Sequence, residues 1–397
     1  MTEAVSFEVP WDRTHRFDPA AIFDELRPSR ALTRMIYPDG HVGWLASSYE
    51  LARRVLGDSR FSHSLETGHF PVKKFGQPVP PVPVQPGMFI HVDPPEHTHY
   101  RRMLTGEFTA RRLAQLAPRL QRIAAAQIAE MRAGGRPADL SAAFSRPFVL
   151  RMLSELLGFP YDEREYFAHA PAVMHDPDCT FPEMEAAFGA LMPWLMQLVV
   201  RKRQNPGDDI LSRLAGGGQL NDEEIYNMMV MLLFAGYETT ESALTVGVFA
   251  LLSHPDQLAE LRADPGKLDN AVEELLRYLS VNQYEIFRTA SEDIELCGHL
   301  VAKGETITVS LPAADRDPDK FPDPNRLAID RDTAGHVAFG HGVHQCIGQN
   351  LARIQLRVGL KALLEEFPEL RLAIPAEDVP LRLKGSVFGV GKLPVRW

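Results

Sequence analysis

The stretch Phe339-Gly340-His341-Gly342-Val343-His344-Gln345-Cys346-Ile347-Gly348 sets one cysteine at the end of a glycine-punctuated loop. A helix is predicted to begin near Gly348 and to run through Leu351, Ala352, Ile354 and Leu356. Gly340 and Gly342 can adopt the backbone angles of a tight turn and let the main chain approach a flat ligand closely. A thiol at a helix start meets unpaired N–H groups and the positive end of the helix dipole, and both favour its thiolate. Taken alone, a free cysteine is more often a small buried apolar residue, so the rest of the chain has to decide.

Of the 397 residues, 45% are hydrophobic and 24% charged, a balance that suits a globular protein with a large core. A net charge of −10 argues against a nucleic-acid partner. Cys179, Cys297 and Cys346 lie far apart without paired metal-ligand spacing, which fits a reducing cytoplasm better than a disulfide framework. The apolar runs at 228–236 and 191–200 are too short or too interrupted to span a bilayer. The first eight residues lack the basic and apolar regions of a signal peptide. There is no internal repeat and no flexible linker, although the length alone could hold two or three average domains.

Along the chain, a helix near 20–26 precedes a hairpin in which Leu32–Ile36 and Val42–Ala46 flank a Pro/Gly turn. Five prolines in 77–87 exclude helix and sheet interior and favour a semi-rigid loop. Helical periodicity dominates from 93 to about 261, with breaks at Gly134-Gly135, Asn205-Pro206-Gly207 and 216–218. Asn221 with Glu224 forms a capping box, and the helix that follows is apolar on most sides, hence central and buried. A helix at 265–279 and strands at 281–287, 306–311 and 370–374 complete the pattern.

Phe339, Gly342, Cys346 and Gly348 fill the pattern Phe-x-x-Gly-x-x-x-Cys-x-Gly. This resembles the heme-binding signature of the cytochrome P450 family, and the resemblance extends over nearly the whole chain. It implies a mainly α fold with minor β: a single-domain triangular prism. Heme b would lie buried between a long central helix and the helix after the cysteine. It also implies Cys346 as the iron ligand, a thiolate that pushes electron density onto the metal, with Phe339, Gly340 and Gly348 around the cofactor.

Ala235-Gly236-Tyr237-Glu238-Thr239-Thr240 puts an acid and an alcohol inside an apolar helix. Burying a carboxylate is costly, and a solvated Glu238 on an exposed turn is the plain alternative. The stretch resembles the family's oxygen-activation motif, Ala-Gly-x-acid-Thr. By that resemblance Ala235 and Gly236 flatten the helix to admit O2. Glu238 and Thr239 hydrogen-bond the oxygen and relay protons to its distal atom, and Thr240 supports the distortion.

Glu274 and Arg277, three residues apart, share a helix face. In isolation they describe a surface pair worth less than about 1 kcal/mol. Their position resembles the family's buried Glu-x-x-Arg element, which a basic residue of a later meander completes. Asp315-Arg316-Asp317-Pro318 fits that meander, with Arg316 as third member. Asp315 stands where the family commonly has Asn, and pairing with a neighbouring Arg is expected to accommodate it.

Heme propionates need cations. By resemblance these are His97 and Arg101, on a proline-initiated helix, together with Arg288 and His344. His336 and His99 are weaker candidates. Arg102, Arg111, Arg112, Arg353, Arg357 and Lys361 cluster in sequence and form either solvated helix faces or a docking patch for an acidic, ferredoxin-type electron donor.

The substrate roof is expected from 75–89 (Phe89), from 174–184, from the central helix (Val230, Leu233, Phe234) and from 281–287 with 386–388 (Phe388). Most of these residues are apolar, which suits a lipophilic substrate. Asn282, Tyr284 and Glu285 suggest hydroxyl or amino contacts to a macrolide or polyene polyketide, and Glu285 would suit a cationic amino sugar. The style of residues 88–95 resembles actinobacterial members that tailor secondary metabolites, as in antibiotic biosynthesis.

The implied activity is that of a soluble, cytoplasmic, monomeric monooxygenase. It takes O2 as co-substrate and inserts one oxygen atom into a C–H or double bond. Electrons come from NAD(P)H through ferredoxin and its reductase, since the chain lacks a dinucleotide-binding glycine fingerprint. A peroxide-driven peroxygenase and a non-catalytic heme sensor are the rival readings. Neither needs the Glu238/Thr239 relay.

Overall fold

Asn221 opens the element around which the fold is arranged. Its side chain accepts a hydrogen bond from the Glu224 N–H (2.9 Å), and the Glu224 carboxylate accepts one from the Asn221 N–H (2.8 Å). This reciprocal cap satisfies two donors that a helix start leaves orphaned. The central helix runs over Asp222–Ser253, about 48 Å at 1.5 Å per residue. It is buried on nearly every side, so packing rather than propensity stabilises it. The computed structural model describes residues 7–26, 31–175 and 179–397.

Helices Arg146–Leu157, Phe181–Gln204, Leu268–Leu279 and Gln349–Glu366 pack around the central one. They form one large apolar core. The predicted breaks end helices at Gly134, Asn205 and Gly217. A second, smaller core lies on the five-stranded sheet. There the hairpin Leu32–Ile36/Val42–Ala46 pairs with Leu32 opposite Ala46. Val42–Ala46 then runs parallel to Thr306–Val309, which pairs antiparallel with Phe287–Ala290. Phe61–Ser62 forms the far edge. The sum is mainly α with minor β.

Several element ends differ from expectation. The 265–279 helix begins as a 3-10 turn at Pro265–Lys267 before Leu268–Leu279. Thr306–Val309 stops short because Ser310 caps the next helix, accepting from the Ala313 N–H at 3.3 Å. The 370–374 strand shrinks to Arg371–Leu372. Residues 281–286 form no strand, apart from a bridge between Asn282 and Val387.

The buried ion pair differs in its third member. Glu274 and Arg277 are fully buried and bonded at 2.7 and 2.9 Å. Arg331, not Arg316, completes them, its Nε donating to Glu274 Oε1 at 3.2 Å. Arg316 points away to Asp18 (2.9 Å) and Asn325 (2.9 Å) and stacks 3.9 Å from the Tyr278 ring. Among the described residues no Arg pairs with the Asp315 carboxylate. It accepts instead from Ser280 Oγ (2.6 Å) and the Val337 N–H (2.7 Å), while Arg277 bonds its carbonyl (2.8 Å). Burial raises the Asp315 pKa, which favours the uncharged carboxyl, the form closer to an amide, relative to a free Asp.

Removing one partner of a buried pair leaves the other charge uncompensated, at roughly 3–5 kcal/mol. Glu274→Gln is expected to lose stability on that scale in urea denaturation. A double-mutant cycle should couple Glu274 with Arg331→Met by more than about 0.5 kcal/mol and leave Glu274 and Arg316→Met close to additive.

Candidate active site

The cysteine loop is shaped by two glycines in the left-handed region, Gly340 at φ +72° and Gly342 at φ +75°. A Cβ on Gly342 would lie 2.2 Å from the Leu56 carbonyl oxygen, so only glycine fits there. The Cys346 N–H donates to the Phe339 carbonyl at 2.9 Å and closes the loop. Arg353 stacks 4.6 Å from the Phe339 ring and binds Glu273 at 2.6 and 3.0 Å. The helix Gln349–Glu366 follows, with Gly348 at its cap. Cys346 opens onto an internal cavity of about 980 Å³, so its surface is accessible although it lies deep in the protein. Burial pushes the thiol above its ordinary range and outweighs the Gly348 N–H, Arg101 and Arg353, which lower it. The thiolate bias expected from the helix start is thus overridden by desolvation, and a bound metal ion would remove the proton outright.

The opposite wall is the central helix. Ala235, Gly236, Thr239 and Thr240 line the cavity. Thr239 Oγ1 donates back to the Ala235 carbonyl at 2.6 Å, a local bond that competes with the helix ladder. Glu238 does not line the cavity. It is 5% exposed and forms an ion pair with Arg382 of the strand Leu381–Arg382. Arg382 also donates to Ser242 Oγ at 3.0 Å. Direct contact between Glu238 and O2 therefore requires this side chain to leave Arg382.

His97, Arg101, Arg288 and His344 all line the cavity. Both ring nitrogens of His97 and Nε2 of His344 are buried without a hydrogen-bond partner, and the two rings lie 4.3 Å apart. Burial, with His344 and Arg101 as like charges, lowers His97 to about 4. Burial also lowers Arg288 to about 10. Two arginines and two imidazoles whose charged forms are disfavoured by burial and by one another fit the carboxylates of a heme, whose charge would favour those forms again. His63 and His91 line the same region and were missed in the sequence. His63 follows the edge strand Phe61–Ser62, and its ring lies 5.0 Å from His344. Asp93 organises the group. It accepts from Ser62 Oγ (2.5 Å) and the His63 N–H (3.0 Å) and lies 3.9 Å from His344, close enough for charge but too far for a hydrogen bond. His336 is not part of this set, since it binds Glu273 at 3.0 Å, and His99 lies exposed on the helix Glu96–Thr105.

The roof holds Phe89, Val230, Phe234, Asn282 and Glu285 of the expected residues. Leu233 is fully buried elsewhere. Tyr284 faces away, its hydroxyl donating to the Pro10 carbonyl (2.5 Å) and its ring packed edge-on to Trp11. Phe388 lies buried under Arg13, 4.1 Å from the guanidinium, and Val387 lines the cavity in its place. Of the 174–184 segment, Met174 and Phe181 line the cavity, while 176–178 lie outside the described residues. Glu285 forms an ion pair with Lys74, which also donates to Ser386 Oγ at 3.2 Å.

Most of the expected docking cations are paired. Arg112 binds Asp208 at 2.6 Å, Arg353 binds Glu273, Arg357 binds Asp269 at 3.2 Å, and Lys361 lies 3.8 Å from Glu365. Arg102 and Arg111 are exposed. Among the described residues no helix is long and apolar enough to cross a membrane.

Comparisons with known proteins agree with this geometry. The family model for cytochrome P450 matches residues 195–265 and 267–397. Cytochrome P450 105C1 of a Streptomyces species is 43% identical over all of both chains. Cytochrome P450 monooxygenase PikC of Streptomyces venezuelae is 38% identical over 96% of this chain and 91% of its own. Among solved structures, CYP105P1 in complex with filipin I is 38% identical with a TM-score of 0.92, covering 99% of both chains. The LnmA hydroxylase from the leinamycin pathway of Streptomyces atroolivaceus is 36% identical with a TM-score of 0.89, covering 99% of this chain and all of that one. The chain belongs to the cytochrome P450 family and has its single-domain fold. Membership makes it an enzyme of the monooxygenase kind and implies a heme, with O2 and NAD(P)H-derived electrons in general.

Glu273 ties the cysteine loop in a pH-dependent way. Burial alone would raise its pKa, but hydrogen bonds from His336 and Arg353 outweigh it and hold the carboxyl at about 2. An unfolded Glu titrates near about 4.3. Its contribution is therefore complete above that value and is lost as pH falls toward about 2. Glu273→Gln is expected to lower stability at neutral pH and to flatten the acid limb between about pH 4.5 and 2. Urea unfolding at a series of pH values measures this.

Proposed function

We propose that the protein is a heme-thiolate monooxygenase that hydroxylates or epoxidises a lipophilic natural product, a macrolide or polyene polyketide, in the cytoplasm. The whole chain, 1–397, acts as one domain. The observation that carries this reading is one cavity lined at once by Cys346, by Ala235 and Thr239, and by His97, Arg101, Arg288 and His344. Heme b, when bound, supplies the binding of O2 and its reductive cleavage.

The chain's own residues do the rest. Cys346 would donate the thiolate ligand, and His97, Arg101, Arg288 and His344 would hold the propionates. Ala235 leaves room beside the helix, since its side chain is small and faces the cavity. Thr239 holds a proton on Oγ1, now given to the Ala235 carbonyl and available to the cavity after one rotation of the side chain. Glu238 is the acid behind it. One oxygen atom enters the substrate and the other leaves as water, so two protons have to be delivered from this side.

The substrate class is supported by an apolar roof with a few polar groups: the unpartnered Oδ1 of Asn282 and the Lys74–Glu285 pair. Because Glu285 already has a cation beside it, the roof favours neutral hydroxylated substrates over amino sugars. A solved relative of the same fold, CYP105P1, was found in complex with filipin I. A ferredoxin-type donor would meet Arg102 and Arg111 first, while the paired cations around them exchange partners. The protein works as a monomer.

Dithionite-reduced protein with carbon monoxide is expected to show the red-shifted Soret band of thiolate-ligated heme, lost in Cys346→Ser; a histidine-type band in the wild type would overturn the reading. Thr239→Ala should retain the band yet turn over with a lower share of product per NAD(P)H. Lys74→Met should shift preference toward cationic over neutral substrates by about ten-fold or more in spin-state titrations. A hydrogen bond to a charged group is worth roughly 1.5–3 kcal/mol.

A further inference from the structure

The central helix carries a second internal carboxyl that the reaction described above leaves unused. Glu241 follows Glu238 by three residues, so the two side chains share a helix face. Glu241 is 4% exposed. Its Oε1 accepts from Ser141 Oγ at 2.6 Å and from Thr245 Oγ1 at 2.9 Å. Both bonds fall on one oxygen, which leaves Oε2 to carry a proton. Among the described residues no Lys or Arg forms an ion pair with it, in contrast to Glu238, which Arg382 neutralises.

The groups that face Glu241 are few. Glu238 and Tyr237 act from its own helix, and Arg146 acts from the neighbouring one. Burial raises the Glu241 pKa, and the charge of Glu238 adds to that rise. The two acids therefore have opposite surroundings, one paired with a guanidinium and one held by hydroxyls. Such a division sorts neighbouring carboxyls into proton acceptor and proton donor.

The hydroxyl at the back of Glu241 belongs to an unusual element. Ser141–Ser145 forms a π-helical turn, a widening of the helix that tends to mark functional places. Ala142 and Ala143 of this turn line a second cavity, of about 530 Å³ and more open than the first. Gln127 lines it too. It is 3% exposed, donates to the Ala143 carbonyl at 2.9 Å and keeps an unpartnered Oε1. The second cavity thus reaches within one residue of Ser141 and presents an unpartnered acceptor there.

We propose that Glu241 is the proton donor to Glu238, the rear carboxyl of a relay that runs from the Ser141–Ser145 turn toward Thr239. The O–H bond of Glu241 breaks and one forms on the Glu238 carboxylate. Neutral Glu238 no longer holds Arg382 and is free to turn toward Thr239. Glu241, now an anion, is held by the hydroxyls of Ser141 and Thr245 and regains a proton from water in the second cavity. No electrons move in this step. The ion pair with Arg382 thereby keeps Glu238 out of the cavity until a proton has arrived.

This rests on the monooxygenase reading, and the test separates the two. E241Q keeps the volume and the acceptor oxygen but has no acid proton to give. In infrared spectra at neutral pH, wild-type protein should show a protonated-carboxyl C=O band that is absent in E241Q and retained in Asp315→Asn, the control for the other buried acid. In the reconstituted enzyme, E241Q should slow product formation roughly ten-fold or more, raise the solvent isotope effect and flatten the alkaline limb of the rate profile that ionisation of Glu241 causes in wild type. Its thiolate-heme band with carbon monoxide should remain normal. A wild type without a band assignable to Glu241, or an E241Q enzyme with an unchanged rate and pH profile, overturns the proposal. If the thiolate-heme band is missing from wild type as well, the monooxygenase reading has failed instead. Should E241Q not fold, E241D replaces it: the band should shift and the rate fall only in part.

Discussion

The arrangement depends on a pair of adjacent carboxylates on one helix. Glu273 and Glu274 leave Leu268–Leu279 in different directions and tie different parts of the chain. Glu274 holds Arg277 and Arg331 and accepts from the Ala328 N–H at 2.9 Å. Arg277 in turn bonds the carbonyls of Asp315 and Pro324, and Asp315 accepts from the Val337 N–H. This chain of bonds, most of it buried, fixes an irregular segment that has no helix or sheet ladder of its own. Glu273 then takes His336 just before the cysteine loop and Arg353 just after it. Such charges are expensive to bury. They are tolerated because each has several partners, and the result is a loop whose backbone is set before any ligand arrives.

Around that loop the cavity divides its labour by polarity. One wall is apolar helix interrupted at Ala235–Thr240, one edge is a crowd of imidazoles and guanidiniums, and the roof is a proline-rich loop latched by Lys74 to Glu285 and Ser386. The edge is repulsive by itself and suits an anion. The roof is close to neutral and suits an uncharged guest. The back of the central helix, facing away from the cavity, holds Glu238 and Glu241 in contrasting surroundings.

Features written in local sequence were legible. The capping box at Asn221, the hairpin at 32–46, the helix breaks and the cysteine loop each follow from neighbouring residues and appear where expected. What the sequence hid was side-chain direction and long-range partnership. Residues 281–287 read as a strand, in which alternate residues share a face. Residues 281–286 are instead irregular, so Asn282 and Glu285 face the cavity while Gln283 and Tyr284 bind the N-terminal segment. Arg316 and Arg331 are both basic residues of one loop-rich stretch without periodicity, and nothing local distinguishes the one that reaches Glu274. Glu238 was recognised as an acid of the motif, but its partner Arg382 lies far along the chain, and the histidines His63 and His91 carried no pattern of their own.

The two anchors of the cysteine loop have a consequence of a different kind. His336 and Arg353 are held by the two oxygens of a single carboxyl group, so the interval between them works as a ruler. Side chains within it can vary wherever space permits, but its length cannot: one residue more or fewer would break one anchor to keep the other. Drift in such a loop should therefore proceed by replacement and hardly ever by insertion or deletion.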